Sequence, residues 1–262
     1  MNSFLNKAIP CTVIGVVSYL GYEIGDFIHL RTGHSEQVES RITQNKSRYI
    51  QEQKAIGMGQ DNYFKFNFDV PLLQPNIPED AVALYPGSGN TIYVRSLLLE
   101  SKAEDRNPYP NTTFEQTIDA TAHHEMIHYY MAQTCGCGGI TLNGAEGSPE
   151  RLSQKLITEG VAEYLSLKLT HIKNPLTEND IPVADLSNLS SQLEQISSKL
   201  YPLGAVVVQP LLDQFGPDSM CHLYDHPPTT LELLDLRVYQ DRMTTEIKSK
   251  PAKLSHPIDS PQ

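Results

Sequence analysis

The stretch His124-Glu125-Met126-Ile127-His128 decides how the rest of this sequence is interpreted. It is an H-E-x-x-H motif inside a mostly apolar segment, which predicts a largely buried helix. Residues four apart share a helix face, so His124 and His128 can present their imidazoles to one ion. Glu125 lies one step round the helix and can take a proton from an attacking water. His123 points about 100° away from His124 and is interpreted as a packing or surface residue. The stretch therefore predicts a zinc site with a general base beside it.

A catalytic zinc site needs a third protein ligand and one open position. Downstream, the segment Thr158-Glu159-Gly160-Val161-Ala162-Glu163 lies on a second predicted helix. Glu159 and Glu163 are four residues apart and share a face, although an acidic pair of this kind can also be a solvated helix edge. We expect Glu159 to be the third ligand and Glu163 to hold one zinc-binding histidine through its other ring nitrogen. Gly160 is expected to allow close approach of the two helices.

These two motifs together resemble the gluzincin metallopeptidases, the group that includes thermolysin and aminopeptidase N. The resemblance implies that His124, His128 and Glu159 bind one Zn²⁺ per chain and that Glu125 is the general base. It also implies an α+β, zincin-like fold, with a small antiparallel or mixed sheet or hairpin packed on a mainly helical metal-binding domain.

The C-terminal half adds a second likeness. Tyr201-Pro202-Leu203-Gly204, followed by the segment Tyr224 to Glu232, is similar to uncharacterised bacterial gluzincin-like proteins. The likeness covers roughly residues 80–236. The sequence departs from thermolysin in the longer stretch between His128 and Glu159, which puts substrate specificity in doubt. It also has neither the Asn-Ala-x-Tyr/Phe-Trp nor the Gly-x-Met-Glu-Asn substrate-binding motif.

An oxyanion formed during hydrolysis needs a hydrogen-bond donor besides the metal. Tyr201 is the first candidate, because gluzincins often use a tyrosine on a later helix. His222 and His226 are alternatives. A tyrosine beside a proline is also a common packing residue at a helix start, and Asp225 with His226 can equally be turn residues before Pro227.

Secondary-structure signals predict strands in 62–70, 81–85 and 91–95, the last two forming a hairpin. The hairpin is a candidate for binding an extended peptide by strand addition, and otherwise an ordinary core hairpin. Asn111 or Thr112 is expected to cap the motif helix, and Ser148-Pro149-Glu150 to start the next. Further predicted helices are Asp185–Leu200, Leu203–Gln214 and a short one from Thr230.

Composition limits the classes of function. The chain has 262 residues, which fits one domain or one domain with an appendage, and 39% of them are hydrophobic. Its net charge of −11, with no basic stripe, argues against nucleic acid as a partner. The sequence does not indicate an oligomeric state.

The four cysteines are too few for a dense disulfide framework. They are Cys11, Cys135, Cys137 and Cys221. A disulfide from Cys135 or Cys137 to Cys221 is possible in an oxidising compartment, and free thiols are the alternative.

The N-terminal segment bears on location. Residues 8–22 are uncharged and apolar, which suggests a signal peptide or membrane anchor. We therefore expect export or membrane anchoring, with a cytoplasmic location as the alternative.

We predict four segments: residues 1–30 as signal peptide or anchor helix, 31–60 as a polar helix or tether, 61–248 as the zincin-like domain and 249–262 as a loose tail. Within the second segment, residues 34–56 are expected to be exposed. The predicted function is zinc-dependent hydrolysis of peptide bonds in a peptide or protein substrate. The alternatives are a catalytically inactive zincin-fold scaffold and a zinc hydrolase of a non-peptide amide.

Overall fold

The computed structural model describes residues 24–56, 65–68, 83–85, 90–94, 109, 112–135, 144–145, 147–182 and 189–249. These ranges do not include the predicted signal segment up to residue 23, Cys11, Cys137 or the tail from residue 250. The first helix continues through residue 30, the predicted boundary between the first two segments. None of the described helices is both long enough and apolar enough to span a membrane.

The described chain is of the α+β class, with a small mixed sheet and a mainly helical remainder. The strands are β1 (Lys65–Phe68), β2 (Ala83–Leu84) and β3 (Thr91–Val94). The helices are α1 (Ile24–Ala55), α2 (Phe114–Thr134), α3 (Pro149–Thr170), α4 (Leu189–Ser198), α5 (Leu200–Phe215), α6 (Met220–Asp225) and α7 (Leu236–Ser249). Short 3-10 turns at Glu178–Asp180 and Pro217–Ser219 join neighbouring helices.

The sheet has the strand order β1-β3-β2. β2 pairs antiparallel with β3, as the hairpin prediction requires, with Leu84 opposite Tyr93. β1 pairs parallel with the other side of β3, with Lys65 opposite Thr91. The sheet is therefore mixed, and β2 forms its edge on the side that reaches α2.

Side-chain caps fix where the two central helices begin. α2 begins one or two residues later than predicted, because Thr113 caps it in place of Thr112 or Asn111. The Thr113 hydroxyl accepts from the Gln116 N–H at 3.2 Å, and the Gln116 side chain accepts from the Thr113 N–H at 2.9 Å. α3 begins as predicted, with the Ser148 hydroxyl accepting from the Arg151 N–H and proline at the first helical position.

The C-terminal helices differ from prediction in their limits. α5 begins at Leu200, so Tyr201 lies in its first turn and not before it. The helix expected from Thr230 is absent in this described region: one turn closes between Thr229 and Leu233, and α7 begins only at Leu236.

α2 lies between two groups of buried apolar residues. One of its faces, with Ile118 and Met126, packs with α1 and the sheet. Another, with Ile127 and Met131, packs with α3 and the C-terminal helices. The Ser166 hydroxyl on α3 also donates to the Ala120 carbonyl oxygen on α2 at 2.6 Å. Both sides of the motif helix are thus held by other elements.

The prediction that residues 34–56 form an exposed helix or tether is wrong in its exposure. The segment is helical, which is one of the two predicted forms, but one face of it is not exposed. Val38, Ile42 and Tyr49 are fully buried in the core that contains Ile118 and Met126. Helical periodicity brings these apolar residues to one face despite the polar average of the segment. α1 is therefore part of the packed domain.

A buried carboxylate fastens α1 to α2. Asp119 accepts hydrogen bonds from Tyr49 at 2.6 Å and Arg48 at 2.8 Å, and from Asn45 and Arg41 at 2.9 and 3.1 Å. Burial alone would raise the pKa of Asp119, but these donors more than offset it and lower the pKa below its ordinary value. The carboxylate therefore stays charged at neutral pH and binds four side chains of α1.

We expect Asp119→Asn to lower the free energy of unfolding by about 2 kcal/mol at neutral pH, because an amide cannot accept all four bonds or balance the two arginines. The folded-state pKa is depressed, so this stabilisation is present above the unfolded pKa of about 3.9 and is lost as pH falls through the folded value. Urea denaturation at pH 7 and near pH 3 should show the difference between variant and wild type shrinking in acid. Asp218→Asn, at an exposed position, is the control, and an unchanged midpoint in Asp119→Asn at pH 7 would contradict the proposed role.

Close packing of α3 on α5 depends on a pair of glycines. A Cβ at Gly160 would lie 2.5 Å from the carbonyl carbon of Gly204, and a Cβ at Gly204 would lie 2.4 Å from the Leu156 carbonyl oxygen. The expectation that Gly160 allows a close helix approach was right, but the partner is α5 and not the motif helix α2. The motif offered no signal for this, because Gly204 lies 44 positions further along the chain.

Candidate metal centre

Two adjacent helices bring the three predicted metal ligands together. His124 and His128 lie one turn apart on α2, and Glu159 lies on α3. The Nε2 atoms of the histidines are 3.0 Å apart. Glu159 Oε2 lies 3.1 Å from His124 Nε2 and 3.2 Å from His128 Nε2. Three potential ligand atoms thus form a nearly equilateral triangle.

The triangle fits a zinc ion in size and in chemistry. Ligands about 2.0–2.1 Å from a tetrahedral zinc lie about 3.3–3.4 Å from one another, and the observed separations are only slightly shorter. Two imidazoles and a carboxylate are also a donor set that zinc uses in catalytic sites. With three protein ligands, a tetrahedral ion at this position would have one further coordination position.

The electrostatics of the centre favour a cation. Burial alone would raise the pKa of Glu159, but His128 and His124 more than offset it and lower the pKa. Burial alone would likewise lower the pKa of His128, yet Glu159 and Glu125 raise it above its ordinary value. The centre therefore stabilises positive charge between these groups, which a dication can supply.

Glu163 lies behind the centre, on the same face of α3 as Glu159. Its Oε2 is 3.0 Å from His124 Nδ1, the ring nitrogen that does not face Glu159. Burial raises the pKa of Glu163 to about 8, and a cation on the far side of the ring would favour the charged carboxylate. The contact has the geometry of the carboxylate–histidine pairs that orient imidazoles at metal sites.

Glu125 is held beside the centre by the backbone. The Tyr85 N–H, just after β2, donates to Glu125 Oε2 at 2.6 Å. Glu125 itself is 8% exposed, so this carboxylate is positioned and largely shielded from solvent. The Tyr85 ring also packs edge-on against Tyr129 of α2, with the centroids 5.4 Å apart. The end of the edge strand is thereby fastened to the motif helix.

Among the candidate oxyanion donors, Tyr201 lies at the centre. Its ring centroid is 5.6 Å from that of His124, and the residue is 47% exposed. His222 and His226 lie instead beside Glu246 of α7. Asp225 ends α6 and His226 follows it, in agreement with the turn interpretation of these two residues.

His123 is buried away from the centre, consistent with a packing role. Its Nδ1 lies 2.6 Å from the Asp119 carbonyl oxygen and its Nε2 lies 2.5 Å from Glu52 Oε2. It therefore adds a further link between α2 and α1.

The sequence interpretation missed the contribution of Tyr85. Its contact with Glu125 uses a main-chain N–H, which every residue except proline carries, so no residue type marks it. The only available signal was the predicted hairpin immediately before the motif helix.

Comparisons of the chain with protein-family models, with curated proteins and with solved structures give no match.

Proposed function

We propose that this protein is a zinc-dependent peptidase of the gluzincin type. The observation that carries the proposal is the convergence of His124, His128 and Glu159 within 3.2 Å of one another, with Glu125 held alongside by a main-chain donor. A metal site that served stability alone would not require a positioned carboxylate next to its ligands. The combination supports hydrolysis over a scaffold role.

Zinc bound by these three residues would polarise the substrate carbonyl and make water a better nucleophile near neutral pH. Glu125 accepts the proton of the attacking water and returns it to the leaving amine nitrogen. The Tyr85 N–H binds Oε2, and Oε1 is the proposed carrier of the proton. Glu163 keeps the His124 ring oriented through Nδ1.

Tyr201 is the proposed donor to the oxyanion. Its proximity to His124 and its exposure support contact between its hydroxyl and a bound substrate. The first turn of α5 also places it beside the junction with α3, where Gly160 and Gly204 meet. Helix packing, and not a loop, would then set the position of the hydroxyl, which suits a preorganised donor.

The substrate class is proposed to be an extended peptide. β2 lies at the edge of the described sheet, and the residue that follows it contacts the general base. A peptide added alongside this strand by main-chain hydrogen bonds would bring a peptide bond close to Glu125. Strand addition depends little on side chains, so it would give broad recognition.

The proposed location is an oxidising compartment. Cys135 at the end of α2 and Cys221 in α6 form a disulfide across 86 positions, with the Cα atoms 5.1 Å apart. Disulfides of this kind persist outside the reducing cytosol. Export or membrane anchoring through the apolar N-terminal segment agrees with this bond.

We expect Glu159→Ala to weaken zinc binding at this centre by about 100-fold or more, since replacing even a supporting residue commonly costs 10- to 100-fold in affinity. The affinity should be measured by calorimetry with metal-free protein, and hydrolysis of a fluorogenic peptide library should fall with it. Chelation should abolish hydrolysis by the wild type, and added Zn²⁺ should restore it.

The matched control is Glu194→Ala, which removes the same carboxylate from an exposed position on α4. It should bind zinc and hydrolyse peptides like the wild type. Full zinc affinity in Glu159→Ala would show that the ligand assignment is wrong. If Glu159→Ala loses zinc binding but the zinc-bound wild type never hydrolyses peptides, only the peptidase proposal is rejected.

A further inference from the structure

A second group of side chains that could hold a metal ion lies between α6 and α7. His222 and His226, one turn apart, meet Glu246 near the end of α7, and each offers one ligand atom within 4.8 Å of the others. His222 Nε2 is 3.3 Å from Glu246 Oε2, close to the ligand separation of a tetrahedral zinc site. The imidazole rings are 4.1 Å apart between centroids.

The tautomer of His226 suits a ligand. Its Nδ1 lies 3.0 Å from the carbonyl oxygen of His222. A carbonyl oxygen only accepts, so Nδ1 must carry the hydrogen, and in the neutral ring Nε2 then keeps its lone pair. Metal-binding histidines commonly donate their other N–H to a main-chain carbonyl in this way.

The Glu246 carboxylate is oriented by a neighbouring ion-pair network. Its Oε1 accepts from Arg242 at 3.1 Å, while Oε2 faces His222. Arg242 is itself held by Glu232 through two bonds, of 2.6 and 3.0 Å. The arginine charge is therefore balanced by Glu232, and the charge of Glu246 remains for a cation.

We propose that His222, His226 and Glu246 form a second, structural binding site for a zinc-class transition-metal ion, with water completing the coordination. The site is separate from the His124 centre in its residues and does not depend on the proposed peptidase activity. Two imidazoles and a carboxylate select zinc-class ions over calcium or magnesium, which prefer all-oxygen sites.

The proposed ion would fasten the C-terminal helix to the domain. α6 carries Cys221, and its disulfide to Cys135 joins it to the end of α2. An ion bound by His222, His226 and Glu246 would join α7 to α6, which the disulfide already anchors. Metal binding should therefore raise the thermal midpoint of the protein.

The test uses the full chain without a polyhistidine tag and with the disulfide intact, titrated with Zn²⁺ alone. To isolate the second site, the measurements are made in the Glu159→Ala background. Here we expect calorimetry and elemental analysis to give one zinc ion per chain. Adding His226→Gln or Glu246→Gln should abolish this binding and the associated rise in thermal midpoint.

Two matched controls separate ligand loss from loss of any histidine or carboxylate. His171→Asn removes an imidazole at the left-handed cap of α3, a backbone conformation that asparagine tolerates. Asp241→Asn removes an exposed carboxylate from α7. Both should retain the ion.

The second site would be overturned if His226→Gln and Glu246→Gln both left zinc binding unchanged. It would also be overturned if Glu159→Ala alone bound no zinc. In either case His222 and Glu246 would form a simple ion pair. Failure of the His124 centre would appear separately, as unchanged zinc content between wild type and Glu159→Ala. The two proposals can thus fail independently.

Discussion

Replacing Glu125 by glutamine is expected to lower the rate of peptide hydrolysis by about 10³-fold, the usual contribution of a positioned general base. Glutamine keeps the shape of the side chain and an oxygen that can accept the Tyr85 N–H, so the local packing should persist. It cannot take a proton from water. The expected signature is a lost rate with unchanged zinc content, measured on the same samples with a fluorogenic peptide and by elemental analysis.

Glu194→Gln is the control for this prediction, because it makes the same chemical change at an exposed position. It should leave both the rate and the zinc content at wild-type values. A Glu125→Gln protein that still hydrolyses the peptide at the wild-type rate would remove Glu125 from the mechanism. A variant that also lost its zinc would show that Glu125 supports the metal and would leave its role as base unsupported.

The second large effect is expected from Gly204→Ala, which should lower the free energy of unfolding by about 3 kcal/mol. The added Cβ would meet the Leu156 carbonyl oxygen at 2.4 Å and the Gly160 Cα at 2.8 Å. Both are main-chain atoms, so relief requires α3 and α5 to separate, and overpacking of this kind costs about 1–3 kcal/mol and occasionally more. The gain of about 1 kcal/mol in helix propensity does not offset such a clash.

Separation of these helices should also disturb the metal centre, because Glu159 precedes Gly160 and Tyr201 lies one turn before Gly204. Urea denaturation and zinc calorimetry on Gly204→Ala should therefore both show losses. Gly147→Ala is the control, because it adds the same methyl group where a Cβ meets nothing within 4 Å. Its expected cost is about 1 kcal/mol and comes only from the φ of +79° at residue 147. Equal stability of Gly204→Ala and the wild type would mean that the helices are not in such close contact.

The local interactions could be inferred from sequence because they depend on residues close together in the chain. The capping signal predicts the start of α3 at Pro149, and the alternation of residue types predicts the pairing of β2 with β3. Helical periodicity places His124 and His128 on one face. Even the misplaced cap of α2 had a local signal, the Thr113-x-x-Gln116 pattern. The error was to prefer Asn111 or Thr112 over a pattern that satisfies two donors at once.

Other features had no local signal. The polar average composition of residues 34–56 predicts an exposed helix or tether, but the attachment of α1 depends on Asp119, which lies 71 positions from Arg48 and 70 from Tyr49. The grouping of His222 and His226 with Glu246 is likewise not predicted by the sequence, which indicates these histidines only as alternative oxyanion donors and His226 also as a turn residue. Such contacts form only when separate helices pack, so the periodicity within one segment does not predict them.

The sequence alone determined which chemical groups this protein has available for a metal: two imidazoles spaced by one helical turn, a carboxylate next to one of them and an acidic pair on a later helix. Tertiary structure alone decided that Glu159 meets both imidazoles, that the backbone at Tyr85 holds Glu125, and that α3 reaches α5 through two glycines. The physical reason is that helical spacing fixes directions within one element, whereas distances between elements depend on how their buried faces pack.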